Sequence, residues 1–317
     1  MSDRFFTELD LPAPEIELGV GSGPHGQQTG RMLIGIESAI AEQRPDAVLV
    51  YGDTNSTLAG ALAAAKMHVP VAHVEAGLRS FNRAMPEEIN RIVTDSVSSL
   101  LLCPSETAAT NLRRENITSG VHIVGDVMAD VLAKFGGAAN AAAVLADCGV
   151  HEGRYFVATI HRAENTDDLP RLHAIINALS DLPLPVVLPA HPRLTGAMER
   201  AGLRPRPNLV VIDPLGYASM IALARHARAV LTDSGGLQKE AYWLGVPCVT
   251  LRDQTEWVET VASGWNTLVG ADRSRILAAV DGIDAPASRP PLYGEGNATS
   301  HIIEALSTLV DSSKGSS

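Results

Sequence analysis

A chain of 317 residues with 45% hydrophobic content is long enough for two ordinary globular domains, each with its own buried core. Its net charge of -11 argues against the concentrated basic face that nucleic-acid binding requires, and its apolar runs fall far short of the ~18 residues of a membrane span. Three scattered cysteines, Cys103, Cys148 and Cys248, suit neither a disulfide framework nor a zinc knuckle, and the charged start MSDRFFTELD is no signal peptide, so a reducing cytoplasm is expected.

In chain order, apolar β-rich runs alternate with Ala/Leu-rich segments of helical period, the pattern of βαβ units around a parallel sheet. The first half predicts a helix over 27–43, a strand over 47–51, a helix over 56–67 and a strand over 71–74. It continues with a helix over 86–97, a strand over 100–103, a helix over 106–115 and a strand over 121–124. The segment 125–153 changes character, a helix-prone 127–135 leading into the Ala/Gly-rich GGAANAAAVLADCG, and the domain boundary is expected there. The second half predicts strands over 155–159, 185–188, 209–212, 229–231 and 248–250, with helices over 169–178, 217–226, 237–244 and 299–310. The tail SSKGSS is expected to lack structure. The expected domains are 1–135, a linker 136–152, 153–296, and a C-terminal helix and tail 297–317.

Three constellations carry chemistry. In TDSGGLQKE a strand delivers Asp233 and Ser234, Gly235 and Gly236 let a ligand approach the backbone, and the following helix points free N–H groups at that spot, which suits a diphosphate seat or, for the short motif taken alone, a capped strand-to-helix turn with Ser234 as its cap. Glu240, one turn on, is placed to accept from ribose hydroxyls. In ATIHRAEN a strand ends in His161 and Arg162 with Asn165 behind, a setting in which a histidine can bind or protonate a leaving oxyanion, the alternative being a turn whose charges are merely solvated. PAHPR brings His191 either to the same rim or into a plain loop. In the first half Asp53, Glu75 and Glu87 stand at strand ends or a helix start, and crowded carboxylates split into one proton donor and one acceptor. Each has a structural explanation when taken alone: Asp53 can bond its own turn, Glu75 can pair with Arg79, and Glu87 is an acid at a helix start.

Taken in order, HGQQTG, YGDTNST, HVEAGLRSFNRAMPEEINR, ATIHRAEN, HPR and LTDSGGLQKEAYWLGVPCVTLRDQTEW closely resemble the non-hydrolysing UDP-N-acetylglucosamine 2-epimerase family over nearly the whole chain. The resemblance implies a GT-B-like fold of two Rossmann-like parallel-sheet domains with the active site between them, a homodimer, and no metal or nicotinamide cofactor. It implies an isomerase that inverts C2 of UDP-N-acetylglucosamine by eliminating UDP and adding it back, in the service of cell-envelope polysaccharide. Asp53, Glu75 and Glu87 match the family's acidic cluster, and Arg91 and His161 match positions associated with substrate and diphosphate. Ser234, Gly235 and Gly236 match its diphosphate turn, Glu240 its ribose acid, Tyr217 its uracil position, and Gln27 falls near an activator site of some members. Family members begin with a strand and a GTRPE-like turn, so Met1 resembles an internal methionine and a truncated start is expected. Lys239 replaces an acid found in many members, which leaves the sugar open, a UDP-diacetamido sugar being one alternative. A GT-B glycosyltransferase and a non-catalytic nucleotide-sugar binder are the other readings.

Overall fold

The structure, a computed structural model, describes residues 12–294 and 296–314. The start of the chain and the last three residues of the tail lie outside the described residues. The chain divides into two compact units, one of residues 12–130 together with 291 onward, the other of residues 131–290.

The first unit runs α1 (His25–Gln43), β1 (Val48–Tyr51), α2 (Asn55–Lys66), β2 (Val71–Val74), α3 (Pro86–Val97), β3 (Leu100–Cys103), α4 (Glu106–Arg114), β4 (Val121–Ile123) and α5 (Val127–Phe135), the last crossing into the other unit. Its strands form a four-stranded parallel sheet in the order β1-β2-β3-β4. The central strands, VAHV and LLLC, are wholly buried and apolar except for His73, because a parallel sheet is covered on both faces. On one face Ile36 and Ile40 of α1 and the alanines of α2 pack on Val48, Val50 and Val71. The small side chains of α2 allow that approach: a Cβ on Gly60 would stand 3.0 Å from the Val50 side chain.

The other face of this sheet is covered by the end of the chain. Helix α14 (Ala298–Lys314) lays Ile302, Ala305, Leu306 and Leu309 against Ala72, Val74, Leu100 and Leu102. Asp130 caps its first turn, accepting from the Ala298 and Thr299 N–H groups at 3.2 and 2.8 Å. The segment from 291 onward therefore belongs to the first unit, whereas the sequence groups residues 153–296 in one domain. Helix α14 also continues through Lys314, so the start of the tail expected to lack structure is helical.

The second unit runs α6 (Ala141–Asp147), β5 (Phe156–Thr159), α7 (Ala163–Thr166), α8 (Leu169–Ser180), β6 (Val186–Pro189), α9 (Pro192–Arg200), β7 (Leu209–Ile212), α10 (Tyr217–Arg225), β8 (Ala229–Thr232), α11 (Gly235–Leu244), β9 (Cys248–Thr250), α12 (Val258–Ala262), β10 (Asn266–Leu268) and α13 (Arg273–Val280). Its six strands are parallel in the order β10-β9-β8-β5-β6-β7. The chain thus winds outward from β5 in one direction and from β8 in the other. A doubly wound sheet binds ligands outside the carboxyl ends of the strands where that order reverses, here between β5 and β8. The core under this edge is aliphatic, with Phe156, Leu172, Ile175, Ile176, Val186, Leu188 and Leu231 all buried. Among the described residues no helix is long and apolar enough to cross a membrane.

Candidate active site

In the second unit the reversal point carries the residues the sequence singles out. Strands β5 and β8 end side by side, with the Thr159 and Thr232 hydroxyls 2.6 Å apart. The turn after β8 delivers Asp233, which is fully buried. Its carboxylate accepts from the His161 and Arg162 backbone N–H groups at 3.1 and 3.0 Å and from the Asn165 amide at 3.1 Å. The His161 ring completes the set, with Nδ1 2.8 Å from Asp233 Oδ1. Burial works to raise the Asp233 pKa, but His161, Asn165 and the Arg162 N–H outweigh it and hold the carboxyl below the usual aspartate range. A carboxylate on Nδ1 leaves Nε2 as the working nitrogen of a ring that is 53% exposed. Asp233 therefore orients His161, a role the sequence does not single out.

Ser234 caps α11, its hydroxyl accepting from the Leu237 N–H at 3.3 Å. Gly235 and Gly236 form the first turn of that helix, and Trp257 packs against it, its Nε1 3.3 Å from where a Cβ on Gly235 would stand. The helix N-terminus, its dipole and two residues without side chains give an anion seat. Further along α11, the buried Glu240 carboxylate stands near Tyr217, the first residue of α10. Burial and the neighbouring Glu240 charge push that phenol's pKa well up. The two residues expected to meet the nucleoside are thus neighbours.

His191 is the N-cap of α9, directly after β6, with Nδ1 accepting from the Arg193 N–H at 3.2 Å. Since β6 lies beside β5, His191 stands on the same sheet edge as His161. Arg162 caps α7. Asn165 is fully buried, donating to Asp233 and the Leu251 carbonyl and accepting from Arg171 Nε, so its bonds tie α7 to the sheet. Two features stand beyond the expected set. Lys239, 1% exposed, holds its ammonium 4.0 Å from the Trp257 ring centroid, and Arg252 forks onto Glu256 at 3.0 and 3.1 Å.

In the first unit the turn after β1 passes through Gly52, at φ +65°, to Asp53. Arg91, on the second turn of α3, donates from Nε and Nη2 to Asp53 Oδ2 at 3.1 and 2.6 Å and from Nη1 to Glu88 at 2.8 Å. Asn90 donates to the Asp53 carbonyl at 2.8 Å. A cavity of about 350 Å³ opens here, and Asp53, Asn55, Glu87, Asn90, His25 and Gln28 line it. The structure thus brings Asp53 and Glu87 to one cavity wall. Glu75 follows β2 in the left-handed region, φ +71°, its Oε2 3.5 Å from where a Cβ on Gly52 would stand.

Gln27 is exposed on the first turn of α1, and it is its neighbour Gln28 that reaches the cavity and accepts from Asn55 at 2.7 Å. Glu88, buried at the start of α3, accepts from the Ser80 N–H and hydroxyl and from the Phe81 N–H, which closes the loop ahead of the helix. The second carboxylate of the sequence PEE therefore orders the loop while the first lines the cavity. Arg79 bonds Asp95 and Glu115, in place of the pairing with Glu75 that the spacing allows.

Residues 1–307 match the family described as UDP-N-acetylglucosamine 2-epimerase. A Pseudomonas aeruginosa relative, UDP-2,3-diacetamido-2,3-dideoxy-D-glucuronate 2-epimerase, is 51% identical over 98% of this chain and 88% of its own length. The Methanocaldococcus jannaschii UDP-N-acetylglucosamine 2-epimerase is 43% identical over 89% of this chain and 80% of its own. The crystal structure of the Methanocaldococcus jannaschii UDP-GlcNAc 2-epimerase in complex with UDP-GlcNAc and UDP superposes with a TM-score of 0.90 at 41% identity, covering 97% of this chain and 88% of that one.

Proposed function

Because the chain belongs to the UDP-N-acetylglucosamine 2-epimerase family, we propose that it interconverts UDP-N-acetylglucosamine and UDP-N-acetylmannosamine by eliminating UDP and adding it back to C1, with the proton returned to the other face of C2. The observation that carries the reading is Asp53 and Glu87 lining one cavity, with Asp53 held by Arg91 and Asn90. One carboxylate takes the C2 proton. The electron pair of that C–H bond forms the C1–C2 double bond, and the C1–O pair leaves with the diphosphate. Readdition of UDP with protonation of C2 from the opposite face, by a second carboxylate among Glu75 and Glu87, gives the epimer. His161, oriented by Asp233, stabilises the diphosphate as charge develops on it, beside the Ser234–Gly235–Gly236 turn. Glu240 and Tyr217 hold the nucleoside, and Arg162 and His191 add positive or donor groups on the same sheet edge. The reading places the enzyme in the cytoplasm, where three buried free cysteines stay reduced, and expects a homodimer.

The second reading is epimerisation of a UDP-diacetamido sugar, favoured by the 51% identity to the Pseudomonas aeruginosa relative of that name. One experiment tests both. Each UDP-sugar is incubated with the protein in deuterated water and followed by proton NMR for deuterium at C2 and for the manno epimer. Exchange with an epimer mixture is expected for one of them, and the sugar that reacts is the substrate. Deuterium-free recovery of both, with UDP still bound, would remove the epimerase reading.

Asp233→Asn is expected to lower turnover about 100-fold with UDP affinity kept, because the amide misorients the His161 ring while the diphosphate turn survives. The folded Asp233 pKa is depressed, so the stability it contributes is full above the usual aspartate range and is lost as pH falls through the lowered value. The variant should therefore melt with less dependence on acid. Turnover equal to that of the unaltered protein would take Asp233 and the oriented His161 out of the mechanism.

A further inference from the structure

Building on the epimerase reading, we propose that His73 is a positioning residue for the acid/base turns, a buried, doubly protonated imidazolium that clamps the Gly52 carbonyl and so presents Asp53 and Glu75 from a fixed backbone. His73 lies within β2 and is fully buried. Its Nδ1 is 2.7 Å from Asp95 Oδ1, and its Nε2 is 2.8 Å from the Gly52 carbonyl oxygen. A backbone carbonyl only accepts, so Nε2 carries a hydrogen. Asp95 Oδ2 meets Arg79 Nη1 at 2.7 Å and the Gly77 N–H at 3.1 Å, the surroundings of an ionised carboxylate. Asp95 Oδ1 is then an acceptor as well, and Nδ1 must also donate. Both ring nitrogens hold hydrogens.

The charge balance agrees. Arg79 forks onto Glu115 through Nε and Nη2, both at 2.7 Å. Burial works against the Arg79 charge, and Glu115 and Asp95 more than restore it, so the guanidinium stays charged. With His73 charged, His73 and Arg79 face Asp95 and Glu115, and the cluster is neutral. A neutral ring would leave a net negative charge around an Asp95 that water does not reach.

The clamp acts where the two turns meet. The Gly52 N–H donates to the Val74 carbonyl at 3.1 Å and its carbonyl accepts from His73, so the residue before Asp53 is tied to β2 on both sides. At the end of β2, Glu75 holds a left-handed backbone, with its N–H and that of Ala76 on the Leu102 carbonyl at 3.1 and 3.3 Å. A non-glycine residue keeps that conformation only where the surroundings overdetermine it. A neutral ring has one N–H and cannot hold both Asp95 and Gly52.

The test is nitrogen-15 NMR of the histidine rings in the full chain, with His73 assigned by its disappearance in His73→Gln. Both His73 nitrogens are expected at protonated positions in the folded chain, and one unprotonated nitrogen would overturn the proposal. Turnover of folded His73→Gln is expected to fall about 100-fold with KM and UDP affinity within about twofold, since a small misplacement of the reacting group costs rate more than binding. Unchanged turnover in that variant would equally overturn it. Should His73→Gln not fold, Asp95→Asn removes the carboxylate and should move the His73 signals to a neutral tautomer; unmoved signals would count against the proposal. If the unaltered protein exchanges the C2 hydrogen of neither UDP-sugar, the epimerase reading falls while the nitrogen spectra still decide the state of His73.

Discussion

Asp53→Asn is expected to lower epimerisation and C2 exchange by roughly 1000-fold, within the range a positioned general acid or base contributes. The amide keeps the shape of the side chain and one acceptor for Arg91, so the turn should hold, but it cannot take a proton. The anion seat at Ser234 and the Tyr217–Glu240 pair belong to the other unit, so UDP affinity by calorimetry should stay within about twofold of the unaltered protein. Loss of turnover with retained UDP binding assigns Asp53 to the proton transfer. Retained turnover would exonerate it and move the role to Glu75 or Glu87, of which Glu87 lines the same cavity. A parallel loss of UDP binding would instead mean that the substitution disturbs the fold.

Gly77→Ala is expected to destabilise the first unit by roughly 4 kcal/mol or more, a large share of the ~5–15 kcal/mol that holds an ordinary domain together. Gly77 follows the Glu75 turn with φ +79°, and a Cβ there would stand 2.3 Å from the Ala108 carbonyl oxygen and 2.7 Å from its carbon. Those are backbone atoms of α4, and the same glycine is fixed on both sides, its N–H on Asp95 and its carbonyl accepting from Asn111 at 3.0 Å. Neither partner can yield without breaking a buried bond. Gly153→Ala isolates the other half of the cost: it also sits at positive φ, +67°, but its Cβ would meet nothing within 4 Å. Its expected penalty is the left-handed strain alone, ~1–2 kcal/mol. Urea unfolding of the two variants should separate them clearly, and equal penalties would mean that α4 shifts to make room.

Much of the fold was legible because its signals are local. Strands β2, β3, β7 and β9 fall where the apolar-rich runs predict them, since a short stretch of β-branched and aliphatic residues bounded by turn residues is a signal carried by neighbours in the chain. Helix α3 begins at Pro86 and ends at Val97 as its spacing predicts, because proline at the first helical position and acids in the first turn are a start signal written in adjacent residues. Some elements that escaped notice have weak local signals: helix α9 reads PRLTGAMER, with a glycine at its middle, and β10 is three residues long. Helix α13, RSRILAAV behind the cap Asp272, had a readable signal and was missed all the same.

The site divides in the same way. That Asp53, Glu75, Ser234 and the glycines beside it stand at turns after strands was readable, because a strand, a glycine and a helix start are neighbours in sequence. That Asp233 orients His161 was not, since the two are 72 residues apart and meet only because β5 and β8 are adjacent in the sheet. The clamp of His73 between Asp95 and Gly52 is likewise a product of which strand and helix pack together. Asn165 stands in a motif that suggests a ligand contact, and burial gives its amide to Asp233 and Leu251 instead.

By itself, then, the amino-acid order determined the strands, most helices, the parallel α/β class and the turns that bear the chemistry, because propensity, capping and period act over a few residues. Tertiary structure alone decided that the last helix returns to cover the first sheet, which carboxylate lines the cavity and which orders a loop, and which buried acids orient His161 and His73. Those outcomes depend on hydrogen bonds and charges between residues brought together by strand order. No local pattern specifies such a pairing, because its energy exists only once both partners have left water in the same place.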